Sequence, residues 1–385
     1  MKIIESAFNS NPNITGYEIP VHTPEWYQFR TTGMPGIYEG GFGASECGTL
    51  TGKNNKTYGE ILPVLLNKKA GITPLDRKMN EHMLSGILAE PIILERWKYY
   101  DGTDKGYLDN YMIGKVMRKH RTVDMYLVNK KYPWLFASLD AAILAGEPNL
   151  RGGQLKCDCP LEIKQISYFA AQQWESGIPP QYIYQINQQM LVTETDYCEL
   201  AILQDGFNFK VDSYQMDVDI CNEILEKSRD AWEQVLVMRK KHKEIKYYQD
   251  LNQMDKVEKL QSELDSMIPE PDSSDGWKEF LNERYIVEQE AFTGTTNHFR
   301  QCVKRSKAKL AMKHLEDFCD GIDNKLRAEF VRNGAEIMDF GSSGKVTYKK
   351  IGARKDPQFN YAGIKRSRDI SDEETVLEII EPLIK

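Results

Sequence analysis

The sequence is short of several things, and each shortage excludes a class of protein. No apolar run approaches the roughly 20 residues that a membrane-crossing helix needs. The first residues, MKIIESAFNSNPN, are too short and too polar for a secretory signal. Histidine is scarce, with six residues dispersed at no ligand spacing. Cysteine is scattered and odd in number: Cys47, Cys157, Cys159, Cys198, Cys221, Cys302 and Cys319. That usage suits reduced thiols in a cytosol rather than a disulfide framework. Only Cys157 and Cys159 are close, and no second pair matches them, which argues against zinc or an iron–sulfur cluster. A P-loop is also missing. Between Gly48 and Gly52-Lys53 stand three residues where four are required, and Asn54 occupies the Ser/Thr position. There is no internal repeat and no low-complexity tract. Nor is there an excess of positive charge: the formal net charge is −7, so any contact with nucleic acid needs a local basic patch.

What is present is ordinary in bulk, with 41% hydrophobic and 28% charged residues over 385 positions. This composition fits a soluble globular protein of one large domain or two smaller ones. Residues 1–23 read as an irregular or weakly β lead-in. Pro24 to Arg30 reads as a short helix with proline near its start. A glycine-rich segment follows and runs into Ala44-Ser45-Glu46, with Ser45 expected to cap the next helix and backbone N–H groups free to wrap a phosphate. Residues 57–70 are expected to be helical. Residues 76–100 read as a long amphipathic helix, with Met83, Leu84, Ile87, Leu88, Ile92, Ile93 and Trp97 as its apolar stripe. Glu90 stands among those apolar residues, directly before Pro91, where a kink is expected. An inward, functional glutamate and a solvated one are equally compatible with that spacing.

The centre of the sequence is the stretch from Trp134 to Ser167. WLFASLDAAIL is an apolar run interrupted by one acid, Asp140. After a Gly/Pro-rich turn comes CPLEIKQIS, with Glu162 and Lys164 two apart. On a strand, residues two apart project from one face, so this carboxylate and ammonium point together. A hairpin joining the two runs would set Asp140 beside Glu162. Two carboxylates and a lysine so placed can hold a hard divalent cation and the water it activates. From Tyr168 to Thr193 the pattern turns helical, with Tyr182, Gln185, Gln189 and Val192 on one face. A glutamine on that face is either the wall of a site or an exposed helix residue.

Beyond it, YCELAILQDG and FNFKVDSYQMD read as strands joined at Asp205-Gly206. Residues 218–268 are expected to form a core-packed helix that extends into solvent or a short coiled coil. PEPDSSDG at 269–276 is a linker by composition. One or two helices follow over 277–334, then a small β element, and from Asp369 a last helix. Lys345 to Arg368 holds eight Lys/Arg and one acid, Asp356. This is either a solvated face or a DNA-backbone contact, with Tyr348, Phe359 and Tyr361 interleaved among Lys349, Lys350, Arg354 and Lys355.

Taken in order over residues 24–238, these motifs resemble the YqaJ-like viral recombinases, relatives of the lambda-type phage exonuclease within the PD-(D/E)xK nuclease superfamily. Glu25-Trp26 with Arg30 resembles the opening motif, and Gly43-Ala44-Ser45-Glu46 the GxS segment. Gly86, Glu90 and Pro91 resemble the helix glutamate motif. Ser138-Leu139-Asp140-Ala141 resembles the metal aspartate, with Leu139 in the place of proline. Leu161-Glu162-Ile163-Lys164 resembles the ExK element. Pro180, Tyr182, Gln185 and Met190 resemble the YxxQ helix, and Ala231-Trp232 with Val235 the closing helix. Gln189 stands where related nucleases often carry tyrosine.

The resemblance implies an α/β fold with a restriction-endonuclease-like core, a central mixed sheet flanked by helices, and a helical and small β extension at the C-terminal side. The implied division is a nuclease core over 1–238, a charged helix and linker over 239–276, and an extension over 277–385. Asp140, Glu162 and the Ile163 carbonyl would ligate Mg²⁺ or Mn²⁺, with Glu90 as a further direct or water-mediated ligand. Lys164 would orient or deprotonate the attacking water, and Gln185 would position the water or Lys164. Arg30 and Ser45 would hold a terminal 5′-phosphate. The implied activity is 5′→3′ digestion of double-stranded DNA from its ends, supplying single-stranded tails to a phage-type annealing protein in the cytoplasm of a bacterial host. Relatives form ring trimers, so a homo-oligomer is expected. Two other readings stay open: a same-core nuclease of different polarity or substrate, and a non-catalytic DNA-binding protein on a nuclease scaffold.

Overall fold

The computed structural model describes residues 1–21, 23–56, 59–73, 81–103, 106–167, 170, 171, 174, 177–283, 293–340, 345–349 and 358–360. The chain divides into two compact units, Met1–Tyr285 and Ile286–Lys385. Among the described residues no helix is long and apolar enough to cross a membrane.

Two five-stranded sheets build the first unit. One has the order β1 (Lys2–Glu5), β2 (Ile14–Glu18), β5 (Tyr126–Asn129), β6 (Leu135–Ser138), β3 (Phe42–Gly43), with β3 parallel to β6 and the rest antiparallel. The other has the order β10 (Asn208–Gln215), β9 (Tyr197–Gln204), β8 (Cys159–Ile166), β7 (Ala141–Ile143), β4 (His120–Arg121), where only the β8–β9 pair is parallel. The expected class holds, mixed β-sheet flanked by helices, with the strands shared between two sheets. The chain crosses from one to the other at Leu139-Asp140, between β6 and β7. The lead-in is firmer than its sequence suggests, since every residue of β1 pairs with β2.

The helices of this unit are α1 (Pro24–Arg30), α2 (Cys47–Leu50), α3 (Leu62–Ala70), α4 (Glu81–Lys98), α5 (Gly106–Met112), α6 (Pro180–Thr193), α7 (Val218–Asp250), α8 (Met254–Asp265) and α9 (Asp275–Glu283). α1 begins as its sequence demands, with Pro24 in the first turn and the Thr23 hydroxyl accepting from the Trp26 N–H at 3.2 Å. α6 is buried on two sides. Tyr184 and Val192 join the core formed with Phe42, Leu127, Leu135 and Trp232. Ile186 and Met190 join the core formed with Ile166, Cys198, Leu200 and Ile202. Each such side chain contributes about 1.5–3 kcal/mol on burial, so α6 fixes the two sheets to one another.

Three expectations change. The helix expected over 76–100 is seen from Glu81 and runs through Pro91, but Leu84, Ile87, Leu88 and Ile92 remain exposed. The face that packs is Ala89, Ile93 and Trp97, against Leu161 and Ile163 of β8. The helix expected over 218–268 breaks at Asn252, whose φ of 52° is left-handed. There α8 folds back on α7 and buries Val257 and Leu264 beside Ile245, so the charged stretch makes an αα-hairpin in place of an extended coil. Finally, Ser45 does not cap a helix. It lies inside a 3₁₀ turn, Ala44–Glu46, and the Glu46 carboxylate takes the capping bond from the Gly43 N–H at 2.7 Å.

The second unit contains a long helix, α10 (Thr296–Asn333), and an antiparallel sheet of order β11 (Ile337–Asp339), β12 (Lys345–Lys349), β13 (Gln358–Asn360). Thr295 caps α10 through the His298 N–H, and Gly334 ends it with a φ of 57°. Tyr348 packs on Phe330, ring centroids 5.7 Å apart. Most of the basic run from Lys350 to Arg368, and the helix expected from Asp369, lie outside the described residues.

Candidate active site

β8 explains how one strand can carry both a core and a charged pair. Its residues alternate between two covered faces. Leu161 and Ile163 enter the core under α4, while Glu162 and Ile166 face α6. Glu162 is therefore a carboxylate 1% exposed, and a buried charge must be paired and hydrogen-bonded. Three donors meet it. Lys164, two residues on, forms an ion pair with Oε1. Gln185 Nε2 donates to the same oxygen at 2.6 Å, and Gln189 Nε2 donates to Oε2. The Lys164 ammonium also lies 5.2 Å from the centre of the Tyr182 ring.

The hairpin expected from the sequence is formed. Ala141 pairs with Leu161, Ala142 with Pro160 and Ile143 with Cys159. Continuing that register by one residue sets Asp140 opposite Glu162, where β7 has not yet begun. Freed from the ladder, the Asp140 carboxylate accepts the Ile163 N–H at 2.8 Å. In an antiparallel ladder a residue's N–H and C=O leave the strand on the same side, so the Ile163 carbonyl also faces the Asp140 edge. Glu90 arrives from α4, whose Ser85 hydroxyl donates to the Gln165 side chain at 3.0 Å and pins that helix to the end of β8.

These acids repel one another. Burial raises the Asp140 carboxyl well above its ordinary value, Glu162 adds to the rise, Lys164 opposes it, Glu90 adds again, and the Ile163 N–H opposes it. Burial likewise raises Glu90, followed by the charge of Glu162 and against that of Lys164. Burial acts to lower Lys164, but Glu162 and Asp140 together outweigh it and hold it above the usual lysine value. Three carboxylates against one ammonium is an arrangement short of positive charge. A hard dication fits that deficit, with Asp140, Glu162 and the Ile163 carbonyl as oxygen donors. Among the described residues no three His, Cys, Asp or Glu side chains stand together at coordinating distance. Mg²⁺ needs only one or two carboxylates beside its waters and a substrate phosphate, and Asp140 with Glu162 meets that.

Arg30 and Ser45 form a separate cluster. The guanidinium reaches the Ser45 hydroxyl at 3.5 Å and the Tyr126 hydroxyl at 3.4 Å. It lies 5.0 Å from the centre of the Trp26 ring, with Tyr126 and Phe136 beyond. Ser45 is exposed. The glycines before and after it serve close packing: a Cβ on Gly43 would lie 2.8 Å from the Phe136 ring, and one on Gly48 2.8 Å from the Gln181 Cβ.

Two contributors, Lys69 and Gln188, were not legible in the sequence, and a third, Gln189, was placed there on the candidate face with its role left open. Lys69 is fully buried. It pairs with Glu46 at 2.7 Å, donates to the Arg30 carbonyl and lies between the Phe42 and Phe136 rings. It thereby ties the backbone of Arg30 to the turn that carries Ser45. Gln188 donates to the carbonyls of Phe42 at 2.9 Å and Phe136 at 3.2 Å. Gln189, its neighbour, donates to Glu162. Adjacent glutamines of α6 thus serve the two clusters in turn. The available signal was a run of three consecutive polar residues, Asn187-Gln188-Gln189, between apolar Ile186 and Met190. A further buried acid, Glu199, lies level with Leu161 on β9 and so on the other face. It is consumed by Arg118, Trp97 and Tyr197 and takes no part in the site.

No curated protein matches this chain. Among solved structures, an alkaline exonuclease (LHK-Exo) from Laribacter hongkongensis aligns at 16% identity and a TM-score of 0.39, covering 58% of this chain and 99% of that one. The complex of LHK-Exo with dAMP aligns with the same values. The model of the YqaJ-like viral recombinase domain matches residues 25–196. That segment holds Arg30, Ser45, Lys69, Glu90, Asp140, Glu162, Lys164, Gln185 and Gln189. Residues 25–196 are thus similar to the YqaJ-like viral recombinase domain.

Proposed function

We propose that this chain is a divalent-metal-dependent exonuclease acting on double-stranded DNA from its ends, 5′→3′, and leaving single-stranded tails for recombination. The observation that carries the proposal is the register of β7 on β8. It sets Asp140 level with Glu162 beside Lys164, with Glu90 charge-coupled to both. Asp140, Glu162 and the Ile163 carbonyl would hold Mg²⁺ or Mn²⁺, with Glu90 as a direct or water-mediated ligand. Such an ion, when bound, polarises a phosphodiester oxygen and makes a coordinated water acidic. The rest of the chemistry belongs to the chain. Lys164 directs the attacking water and stabilises the charge that grows on the phosphorane. Gln185 and Gln189 fix the Glu162 carboxylate. Arg30 and Ser45 hold the 5′-phosphate, and that contact restricts cleavage to ends.

On this reading the enzyme hands its product strand to a single-strand annealing protein in a bacterial host's cytoplasm, and the similarity to a viral recombinase domain supports a part in recombination. A homo-oligomeric ring, as a trimer, would let a chain of net charge −7 stay on DNA without a strong global attraction. The test is digestion of linear duplexes with 5′-phosphate, 5′-hydroxyl or hairpin ends, and of closed circles, with Mg²⁺ or with EDTA. The expected result is Mg²⁺-dependent loss of one strand from 5′-phosphorylated ends, abolished in Asp140→Ala and Lys164→Ala. Equal cleavage of closed circles would overturn the exonuclease reading. Full activity in either variant would overturn the site.

A further inference from the structure

The second unit carries a charge feature that the site does not use. Over the first 20 residues of α10, Thr296 to Leu315, there are six Lys/Arg and no acid, in a chain of net charge −7. Nearly all of these side chains are exposed. The six fall into two rows. Arg300, Lys304 and Lys307 are spaced i, i+4, i+7, and Arg305, Lys309 and Lys313 are spaced i, i+4, i+8. At 3.6 residues per turn the rows stand on opposite sides of the helix, along a rod of roughly 30 Å.

We propose that this half of α10 lies in the major groove of duplex DNA, each basic row facing one of the two phosphate backbones. The inference rests on the reading of DNA as substrate. A helix of about 10–12 Å diameter fits a groove of about 12 Å, and its two flanks then face phosphates. A flat anionic membrane favours one basic face opposite an apolar one and could meet only one of these rows. Single strands are held by stacking on several aromatic side chains, and Phe299 is the one Phe, Tyr or Trp between Thr296 and Leu315. The surface would supply duplex affinity that does not depend on a DNA end.

The test uses the full chain in EDTA and a short duplex closed by hairpins at both ends, which offers no 5′-phosphate to Arg30. Binding is measured over about 50–200 mM salt, where each phosphate contact contributes about 0.9 to the slope of log affinity against log salt. Changing either row to glutamine should flatten the slope by roughly 2–3 and both rows by about 5, equal to about a thousandfold less salt dependence over that range. Glutamine matches lysine and arginine in helix propensity, and circular dichroism checks that the helix persists. An unchanged slope with both rows altered overturns the inference. So does an effect confined to one row, which a flat partner would give. Binding to phosphatidylserine vesicles that needs the six charges, while duplex binding does not, overturns it as well. Cleavage of open ends, followed on the same variants in Mg²⁺, separates this inference from the nuclease reading. Lost duplex binding by the variants of a protein that never cleaves supports the inference and sinks the reading. Normal cleavage with an unchanged salt slope does the reverse.

Discussion

Replacing Gln189 by methionine isolates one contact of the site. Methionine keeps the length and most of the volume of glutamine but has no N–H donor. In the folded chain the Gln189 amide donates to Glu162 Oε2, while Lys164 and Gln185 both serve Oε1. The substitution therefore strips one carboxylate oxygen of its donor and leaves the other unchanged. A hydrogen bond to a charged, buried group contributes about 1.5–3 kcal/mol. Metal-free protein should lose about that much stability. At about 2–4 °C per kcal/mol for a large domain, this is a fall of several degrees in Tm. With the ion bound, an outer partner that orients a ligand typically affects metal affinity or activity by about 10–100-fold. The Mg²⁺ midpoint of nuclease activity should rise by that factor.

Gln188→Met is the control. It removes bonds to the Phe42 and Phe136 carbonyls and none to the acids, so it should lower Tm and leave the Mg²⁺ midpoint in place. The assay is a Mg²⁺ titration of strand loss from a 5′-phosphorylated duplex, paired with thermal melts in EDTA. An unchanged Mg²⁺ midpoint in Gln189→Met would refute the reasoning. An equal shift in both variants would show that the effect is packing alone.

Two further substitutions probe the charges. Asp140→Asn should abolish nuclease activity and yet raise the Tm of metal-free protein at neutral pH. The sign follows from the raised Asp140 value. Above the ordinary aspartate pKa the folded chain holds its proton more tightly than the unfolded one, so stability falls as pH climbs toward the raised value, by about 1.4 kcal/mol for each pH unit crossed. The gain from the substitution should vanish in acid, and melts in EDTA across pH would detect this. A lower Tm at neutral pH would mean that the bond from the Ile163 N–H outweighs the repulsion. Lys69→Met should leave Glu46 unpaired, at a cost of up to about 3–5 kcal/mol, and free the Arg30 backbone. The ratio of rates on 5′-phosphate and 5′-hydroxyl ends should collapse toward one, and Glu46→Gln added to it should restore stability but not that ratio. An unaltered ratio in the stable double variant would remove Lys69 from end recognition.

The parts of the site that could be read in the sequence are those fixed by short-range geometry. Glu162 and Lys164 share a face because a strand repeats every two residues. Asp140 could be placed beside them because only a turn of Gly, Pro and polar residues separates the two runs. Contacts made by the second of two packed layers were not legible. The periodicity of α6 sets Gln185, Gln189 and Val192 on one face, and a helix covered on that side only would leave Gln188 in water. The sequence carries no count of how many sides of a helix are covered, which is also why Leu84, Ile87, Leu88 and Ile92 looked like core. Lys69 and Glu46 lie far apart in sequence on different elements, and no local pattern links them. The coverage of α6 arises where the chain leaves β6 and enters β7, since that step places the second sheet against Ile186 and Met190 and swings Glu162 toward Gln185 and Gln189. Asp140 stands at that step. One residue therefore both supplies a carboxylate and marks the crossing that buries its partner, and the site's electrostatics and the two-sheet architecture have a common origin in the break between Ser138 and Ala141.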